Sequence, residues 1–361
     1  MHVTDYYARP KTAKFGGVNT SRAELVKNFR KYTSFEITVI DAKNGYESEE
    51  IVGVNRIELK HFFNHHALMI PRRISRILKE SDFLIMHEGW NVGNVYVAIL
   101  CKFYEIPYFL IPHGVYDPGI VSGLRFKSLR KKVESFVING AKFVNIFFPI
   151  EQEHLSAITK KARTIIAPTG SSRLWENYKW SGDGNYVYFA GRLDVKHKGL
   201  DILLKAWTEI PSPYILILQG QDFFGGIDQI NTMITELELS GRVLVLPHAS
   251  HDEIMRKIES CIFFAHISRW EAYGRSVVDA LSIGTPTLIS ESMNLATTYE
   301  AKSVFEVVEL QHQAVLDGIN NLLNRHKSAQ DVSFQRINWI RENFDWEKTI
   351  AKLSFAMKKH S

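Results

Sequence analysis

Short runs of β-branched, aromatic and aliphatic residues alternate along the chain with stretches whose apolar positions recur every three or four residues. Such alternation marks buried parallel strands interleaved with amphipathic helices. In the first half it predicts strands at His2–Tyr6, Glu36–Asp41, Phe83–His87, Tyr108–Pro112, Phe143–Phe148 and Thr164–Ala167. Helices are predicted between them at Thr20–Lys31, Pro71–Lys79, Val92–Tyr104, Ser128–Asn139 and Ile150–Ile158. The segment Ser171–Asn185, with its Gly, Asp and Asn residues, breaks the rhythm. A second series follows, with strands at Tyr186–Ala190, Tyr214–Gln219, Val243–Leu246, Ile262–Ala265, Pro286–Ser290 and Val304–Val308. Its helices fall at Leu200–Glu209, Asp228–Leu239, Asp252–Ser260, Ser276–Ile283 and His312–Asn324. The tail Ser333–His360 predicts more helix, anchored by Trp339, Phe344, Trp346, Leu353 and Phe355. One α/β pattern repeated around a junction at Pro168–Gly170 predicts two doubly wound domains facing across a cleft. Ligands of open α/β sheets bind beyond the carboxyl ends of the strands, so that edge is the default site.

Length agrees with this division, since 361 residues suit two domains of about 150–180 residues better than one core. With 45% hydrophobic and 23% charged residues the composition is globular. Cys101 and Cys261 lie far apart within apolar runs, which excludes a disulfide framework and points to a reducing, cytoplasmic compartment. No Cys/His spacing suggests a metal site, and His61, His65 and His66 read as a solvated helix face. The first residues lack the pattern of a secretory signal, and the apolar runs are too short to span a bilayer. A net charge of +5 is too mild for a nucleic-acid binder. It is concentrated locally in Arg125, Lys127, Arg130, Lys131 and Lys132, a patch suited to anionic lipid headgroups or to an acidic acceptor, and equally to an ordinary solvated helix face.

Two phrases carry chemistry. In YFAGRLDVKHKGLDILLKAW, Tyr188–Trp207, a strand runs into Gly191 and Arg192, then a polar loop with Lys198 leads to Gly199 and a helix. Arg192 offers a planar fork for phosphate oxygens and Lys198 a mobile charge, although both could be surface cations of a connecting loop. In SRWEAYGRSVVDALSIGTPTLIS, Ser268–Ser290, a strand is followed by a loop with Glu271 and Gly274 and by a helix expected near Ser276. The glycine admits close backbone approach, and the start of the helix suits a phosphate. Glu271 and Asp279 are carboxylates suited to sugar or ribose hydroxyls. Asp279 also fits a capping box with Ser276.

These residues resemble family 4 of the retaining glycosyltransferases, of GT-B fold, over nearly the whole chain. EAYGRSVVDALSIGTP is similar to the family's phrase of two glutamates separated by seven residues, with Glu271 in the first position and Asp279, one methylene shorter, in the second. GRLDVKHKGLD resembles its diphosphate clamp, LILQGQD its glycine turn at Gly220, and FGGVNTSRAELVKNF its opening loop with Gly16 and Gly17. IPYFLIPHGVYDP is similar to its Pro-His-Gly segment around His113, and MHEGW resembles an acceptor-side segment with His87, Glu88 and Trp90. Ala272 and Tyr273 stand where Gly and Phe are usual, and Arg275 is an extra cation.

The resemblance implies an acceptor-side Rossmann-like domain over 1–168, a nucleotide-sugar-binding one over 169–340, and a C-terminal helix over 341–361 that returns to the first. It implies a retaining hexosyltransferase in which His113, Glu271, Arg192 and Lys198 serve catalysis. Gly16, Gly17, Gly220, Ala272, Tyr273, Gly274, Arg275 and Asp279 would complete the donor site. No two aspartates have the D-x-D spacing that holds a metal ion in metal-dependent glycosyltransferases, so no metal or other cofactor is expected. The expected partners are a nucleotide-sugar donor and a glycan or lipid-linked acceptor of cell-surface polysaccharide biosynthesis, at the inner face of a membrane. A sugar-nucleotide epimerase of the same fold and a catalytically silent nucleotide-sugar-binding subunit are the rival readings.

Overall fold

The computed structural model describes residues 1–9, 17–43, 53–63, 65–298, 304–325 and 333–360. The chain divides into two compact units, Met1–Gly170 with Trp346–Ser361, and Ser171–Asp345.

The first unit carries a seven-stranded parallel sheet built from β1 (His2–Tyr6), β2 (Glu36–Ala42), β3 (Asn55–Leu59), β4 (Phe83–His87), β5 (Tyr108–Ile111), β6 (Phe143–Ile146) and β7 (Thr164–Ile166). Its order is β3-β2-β1-β4-β5-β6-β7, so the direction of winding reverses between β1 and β4, which pair from Val3↔Phe83 to Tyr6↔Met86. The connecting helices are α1 (Gly17–Tyr32), α2 (Ile74–Leu78), α3 (Val92–Phe103), α4 (Pro118–Ser122), α5 (Lys127–Gly140) and α6 (Ile150–Ser156). Every residue of β4 is buried, as expected of a parallel strand covered on both faces. Strand β3 has no counterpart in the sequence pattern: it is an edge strand with alternating exposed positions and a charge-rich sequence, NRIEL, instead of an apolar run.

The C-terminal helix, Trp346–His360, belongs to this unit. Its buried residues Trp346, Thr349, Ile350, Leu353, Ala356 and Met357 form one stripe at helical spacing, which packs on α1. Thr349 donates a hydrogen bond of 2.8 Å to the carbonyl of Pro168.

In the second unit six parallel strands, β8 (Tyr186–Ala190), β9 (Ile215–Gln219), β10 (Val243–Leu246), β11 (Phe264–His266), β12 (Thr287–Ser290) and β13 (Glu306–Val308), are ordered β10-β9-β8-β11-β12-β13. Winding reverses here between β8 and β11. The helices are α7 (Leu200–Trp207), α8 (Gly226–Glu236), α9 (His251–Ser260), α10 (Arg275–Ser282), α11 (His312–Arg325) and α12 (Ser333–Asn343). The core joins the sheet residues Val187, Phe189, Leu216, Leu218 and Ala265 to Leu203, Trp207 and Ile319 from the covering helices. Local chemistry sets helix starts: Ser250 and Glu253 form a reciprocal capping box at α9.

Glu151 shows what burial does to a charge in the first unit. It lies in the first turn of α6, only 4% exposed, and its Oε1 accepts the amides of Phe147 and Phe148 at 2.9 Å each. Burial pushes its carboxyl up to about 7 in spite of those two amides. Because this lies above the unfolded value, the folded chain retains a proton between pH 4.5 and 7 that the unfolded chain has released. The stability this group contributes is therefore lost as pH rises through that window. Glu151→Gln keeps the amide acceptor and removes the charge. It should match the wild type near pH 4.5 and exceed its stability at pH 8 by about 3 kcal/mol in urea unfolding. A difference independent of pH would contradict this.

Candidate active site

In open α/β sheets the reversal of winding leaves a crevice at the carboxyl ends of the two central strands. In the second unit the loops that leave β8 and β11 meet there. The first carries Arg192 and Lys198, the second Glu271. Lys198, 6% exposed, forms an ion pair with Oε2 of Glu271, whose side chain remains 21% open to solvent. His266, the last residue of β11, places its Nε2 3.4 Å from both Lys198 Nζ and Glu271 Oε2. Its Nδ1 lies 3.5 Å from the hydroxyl of Ser276. Burial works against ionisation of Glu271, but Lys198 and His266 together overcome it and hold the carboxyl well below its usual range. Burial and the Lys198 ammonium push His266 down, so it stands neutral between the two charges.

Arg192 is held differently. Its guanidinium lies over the ring of Phe223, 4.7 Å from the centroid, and Nη2 is 3.4 Å from Nδ1 of His197. His197 stacks on Trp270 with centroids 4.4 Å apart and donates through Nε2 to the Trp270 carbonyl at 2.8 Å, which leaves Nδ1 as an acceptor toward Arg192. Burial pushes His197 down to about 4, so it is neutral. Among the described residues no carboxylate pairs with Arg192. Lys198 is thus paired with a carboxylate, and Arg192 is not, among the described residues.

The two glycines of this region serve different ends. A Cβ at Gly220 would lie 1.6 Å from the carbonyl oxygen of Gly191, so the close packing of two strand ends requires glycine there whatever binds nearby. Gly274 adopts φ 71° and caps α10 without a side-chain hydrogen bond. The helix therefore begins at Arg275, its first amides lack helical acceptors, and the capping box expected of Ser276 and Asp279 does not form. Asp279 instead places Oδ2 3.5 Å from Nε2 of His251, whose affinity for a proton rises through that contact. Tyr273 is buried edge-on against Phe344, with centroids 5.9 Å apart, so its side chain belongs to the core. Ala272 and Arg275 are half-buried beside it.

In the first unit the carboxyl ends of β1, β4 and β5 bring Asp5, His87 and His113 together. His87 and His113 are joined by a hydrogen bond of 2.8 Å, and His87 reaches Asp5 over the same distance. Glu88 pairs with Arg9 at 2.7 Å, and Trp90 donates through its indole to the Val115 carbonyl at 2.7 Å. Glu88, Trp90 and His113 all have left-handed backbone, with φ 59°, 61° and 52°. Such strain in side-chain-bearing residues gathers at functional sites. Gly17 opens α1, and a Cβ there would meet nothing within 4 Å; Gly16 lies outside the described residues. The basic residues Arg125 to Lys132 line the loop before α5 and its first turns. An open groove of about 510 Å³ between α3 and α5, lined by Lys102, Pro107, Phe136 and Lys142 among others, lies at the amino ends of the strands, away from His113. Among the described residues no group of three His, Cys, Asp or Glu side chains is arranged to hold a metal ion.

Asp5, Arg22, His197, His251 and His266 were not singled out from the sequence. For Asp5 and His266 a signal existed, an ionisable side chain at the carboxyl end of a buried strand, in HVTDY and IFFAHIS.

Residues 173–338 match the family described as glycosyl transferases group 1. A D-inositol 3-phosphate glycosyltransferase of Mycobacterium leprae is 31% identical over 173 residues, which cover 46% of this chain and 40% of that relative's length. Alr3699/HepE of Anabaena, solved in complex with UDP-glucose, superposes with a TM-score of 0.81 at 17% identity, covering 99% of this chain and 100% of the other. Sucrose-phosphate synthase of Thermosynechococcus elongatus gives 0.79 at 17% identity over 99% and 98%. At these identities the structures show the fold, that of the GT-B glycosyltransferases. Residues 173–338 thus carry group 1 glycosyltransferase sequence within a chain whose fold is that of the GT-B glycosyltransferases.

Proposed function

We propose that the chain transfers a hexose from a nucleotide-diphosphate sugar to a glycan or lipid-linked glycan acceptor, with retention of configuration and without a metal ion. The observation that carries this is the charge pattern at the winding reversal of the second unit: Arg192, without a carboxylate partner among the described residues, close in sequence to the buried Lys198–Glu271 pair. As the bond from C1 to phosphate breaks, its electron pair passes to the diphosphate. The acceptor oxygen bonds to C1 on the same face, and its proton goes to the departing phosphate oxygen. Arg192, Lys198 and the first amides of α10 would stabilise the growing charge. Glu271 would accept hydrogen bonds from donor-sugar hydroxyls, and Asp279 from the ribose. A relative named for glycosyl transfer to an inositol phosphate and a fold neighbour solved with UDP-glucose support a hexose donor and make uridine the first nucleotide to test.

Alanine at Arg192 or Lys198 should lower UDP release from UDP-glucose, with water as acceptor, by about 10²–10³-fold. Arg192→Ala should leave the melting temperature near that of the wild type, whereas Lys198→Ala, which leaves Glu271 unpaired, should lower it. EDTA should leave wild-type turnover unchanged. Activity lost to EDTA and restored by Mn²⁺ would remove metal independence, and near-normal turnover in either variant would remove that residue from the site.

The acceptor reading has its own support in the first unit. Along α5, Leu129, Val133 and Phe136 recur at helical spacing and are all exposed, and Phe126, just before the helix, is 81% exposed. Arg125, Lys127 and Lys132 flank this stripe, also exposed. Apolar side chains between cations suit the surface of an anionic bilayer. Among the described residues no helix is long and apolar enough to cross one. The protein should sediment with phosphatidylglycerol vesicles more than with phosphatidylcholine vesicles, and serine at Phe126 and Leu129 together should abolish the difference. Equal sedimentation of wild type and variant would contradict membrane docking through α5.

A further inference from the structure

The chain of hydrogen bonds that ends at His113 has a direction. Arg22 is buried in the first unit and donates through Nε to Oδ1 of Asp5 and through Nη1 to Oδ1 of Asp41. Its Nη2 donates to the carbonyls of Ile40 at 3.0 Å and Asp5 at 3.2 Å. Burial works against a charged Asp5, but Arg22 and His87 hold its carboxyl below the usual range, so it is an ionised acceptor. Its second oxygen, Oδ2, therefore requires a proton on Nε2 of His87, 2.8 Å away. With a single proton on its ring, placed by Asp5 on Nε2, His87 presents Nδ1 as a lone pair, which accepts from Nε2–H of His113 at 2.8 Å. Burial pushes His113 down to about 3, so its ring is neutral and its remaining nitrogen, Nδ1, is bare. No described residue hydrogen-bonds to that nitrogen.

The backbone around the relay is fixed to match. Asn94 donates to the carbonyls of His87 at 3.0 Å and Glu88 at 3.3 Å, and Phe147 stands edge-on to the His113 ring with centroids 5.7 Å apart. The backbone of His113 is held in the left-handed region, with φ 52°, a strained conformation for a residue with a side chain. A purely structural histidine has no need of that strain or of a buried carboxylate two bonds away.

We infer that Asp5 and His87 are positioning residues that lock His113 into the tautomer with a bare Nδ1, so that His113 accepts a hydrogen bond from a sugar hydroxyl and cannot donate one. The hydroxyl follows from the hexosyl transfer proposed above, while the direction of the relay stands on the first unit alone. Asp5→Asn reverses it. An amide nitrogen facing His87 donates into Nε2, the His87 proton moves to Nδ1, and His113 is driven to carry its proton on Nδ1. A hydroxyl then meets a donor where it needs an acceptor.

Long-range ¹H–¹⁵N correlation of the histidine rings at neutral pH, with His113→Gln to assign the signal, reads this without any turnover. The wild type should show His113 protonated at Nε2, and Asp5→Asn should show it protonated at Nδ1. In the same variant, UDP release from UDP-glucose should fall by roughly 10–100-fold while the Kd for UDP is unchanged. Wild-type His113 with a proton on Nδ1, or a folded Asp5→Asn variant with full turnover, would overturn the inference. Should Asp5→Asn fail to fold, the wild-type tautomer still decides it. Wild type that shows the expected tautomer but neither binds UDP nor releases it from UDP-glucose would count against the proposed function and leave the relay standing.

Discussion

A charge buried at the edge of a parallel sheet must find a partner inside the protein, and this requirement organises both units. At the winding reversal of the first sheet Asp5 is fully buried and is answered by Arg22 and His87; at that of the second, Lys198 is answered by Glu271 with His266 between. Removing one member of such a set leaves a buried charge uncompensated, which is far more costly than the pair itself is stabilising. The strands could have ended in apolar residues. Paired ions at these strand ends, or in the loops just beyond them, stand at the edge of each sheet where the topology leaves room for a ligand.

The two sets differ in what they leave available. In the first, Arg22 spends its donors on two carboxylates and two carbonyls, and only the far nitrogen of His113 remains. In the second, Lys198 and Glu271 satisfy each other, and Arg192 stands apart on Phe223 with no carboxylate of its own among the described residues. A diphosphate would meet Arg192 first and then compete with Glu271 for Lys198, which would turn Glu271 toward hydroxyl donors. The closed pair holds Glu271 ionised and both side chains oriented, in keeping with preorganised electrostatic catalysis.

Much of this was legible in the sequence because it rests on short-range pattern. Strands β4, β8 and β10 fall where apolar runs place them, β1 falls at the expected His2–Tyr6, and Lys198 and Glu271, singled out in separate phrases, meet as an ion pair. The edge strand β3 was not legible, because exposure on an edge removes the apolar run that marks a strand. The cap of α10 was misjudged because Gly274 with positive φ starts the helix one residue earlier than Ser276, which leaves Asp279 to meet His251. Asp5–His87 and Lys198–His266 join positions 82 and 68 residues apart, and no local spacing carries such pairings. They follow from strand order.

Calorimetric titration of UDP and UDP-glucose into the wild type, Lys198→Ala and Glu271→Gln tests the division of labour at the second site most directly. Lys198→Ala should weaken both ligands alike, by roughly tenfold or more. Glu271→Gln, which frees Lys198, should bind UDP as well as the wild type or more tightly and lose the added affinity that glucose confers. If Glu271→Gln weakened UDP as much as UDP-glucose, or Lys198→Ala left both unchanged, the pair would be part of the fold and not of a donor site.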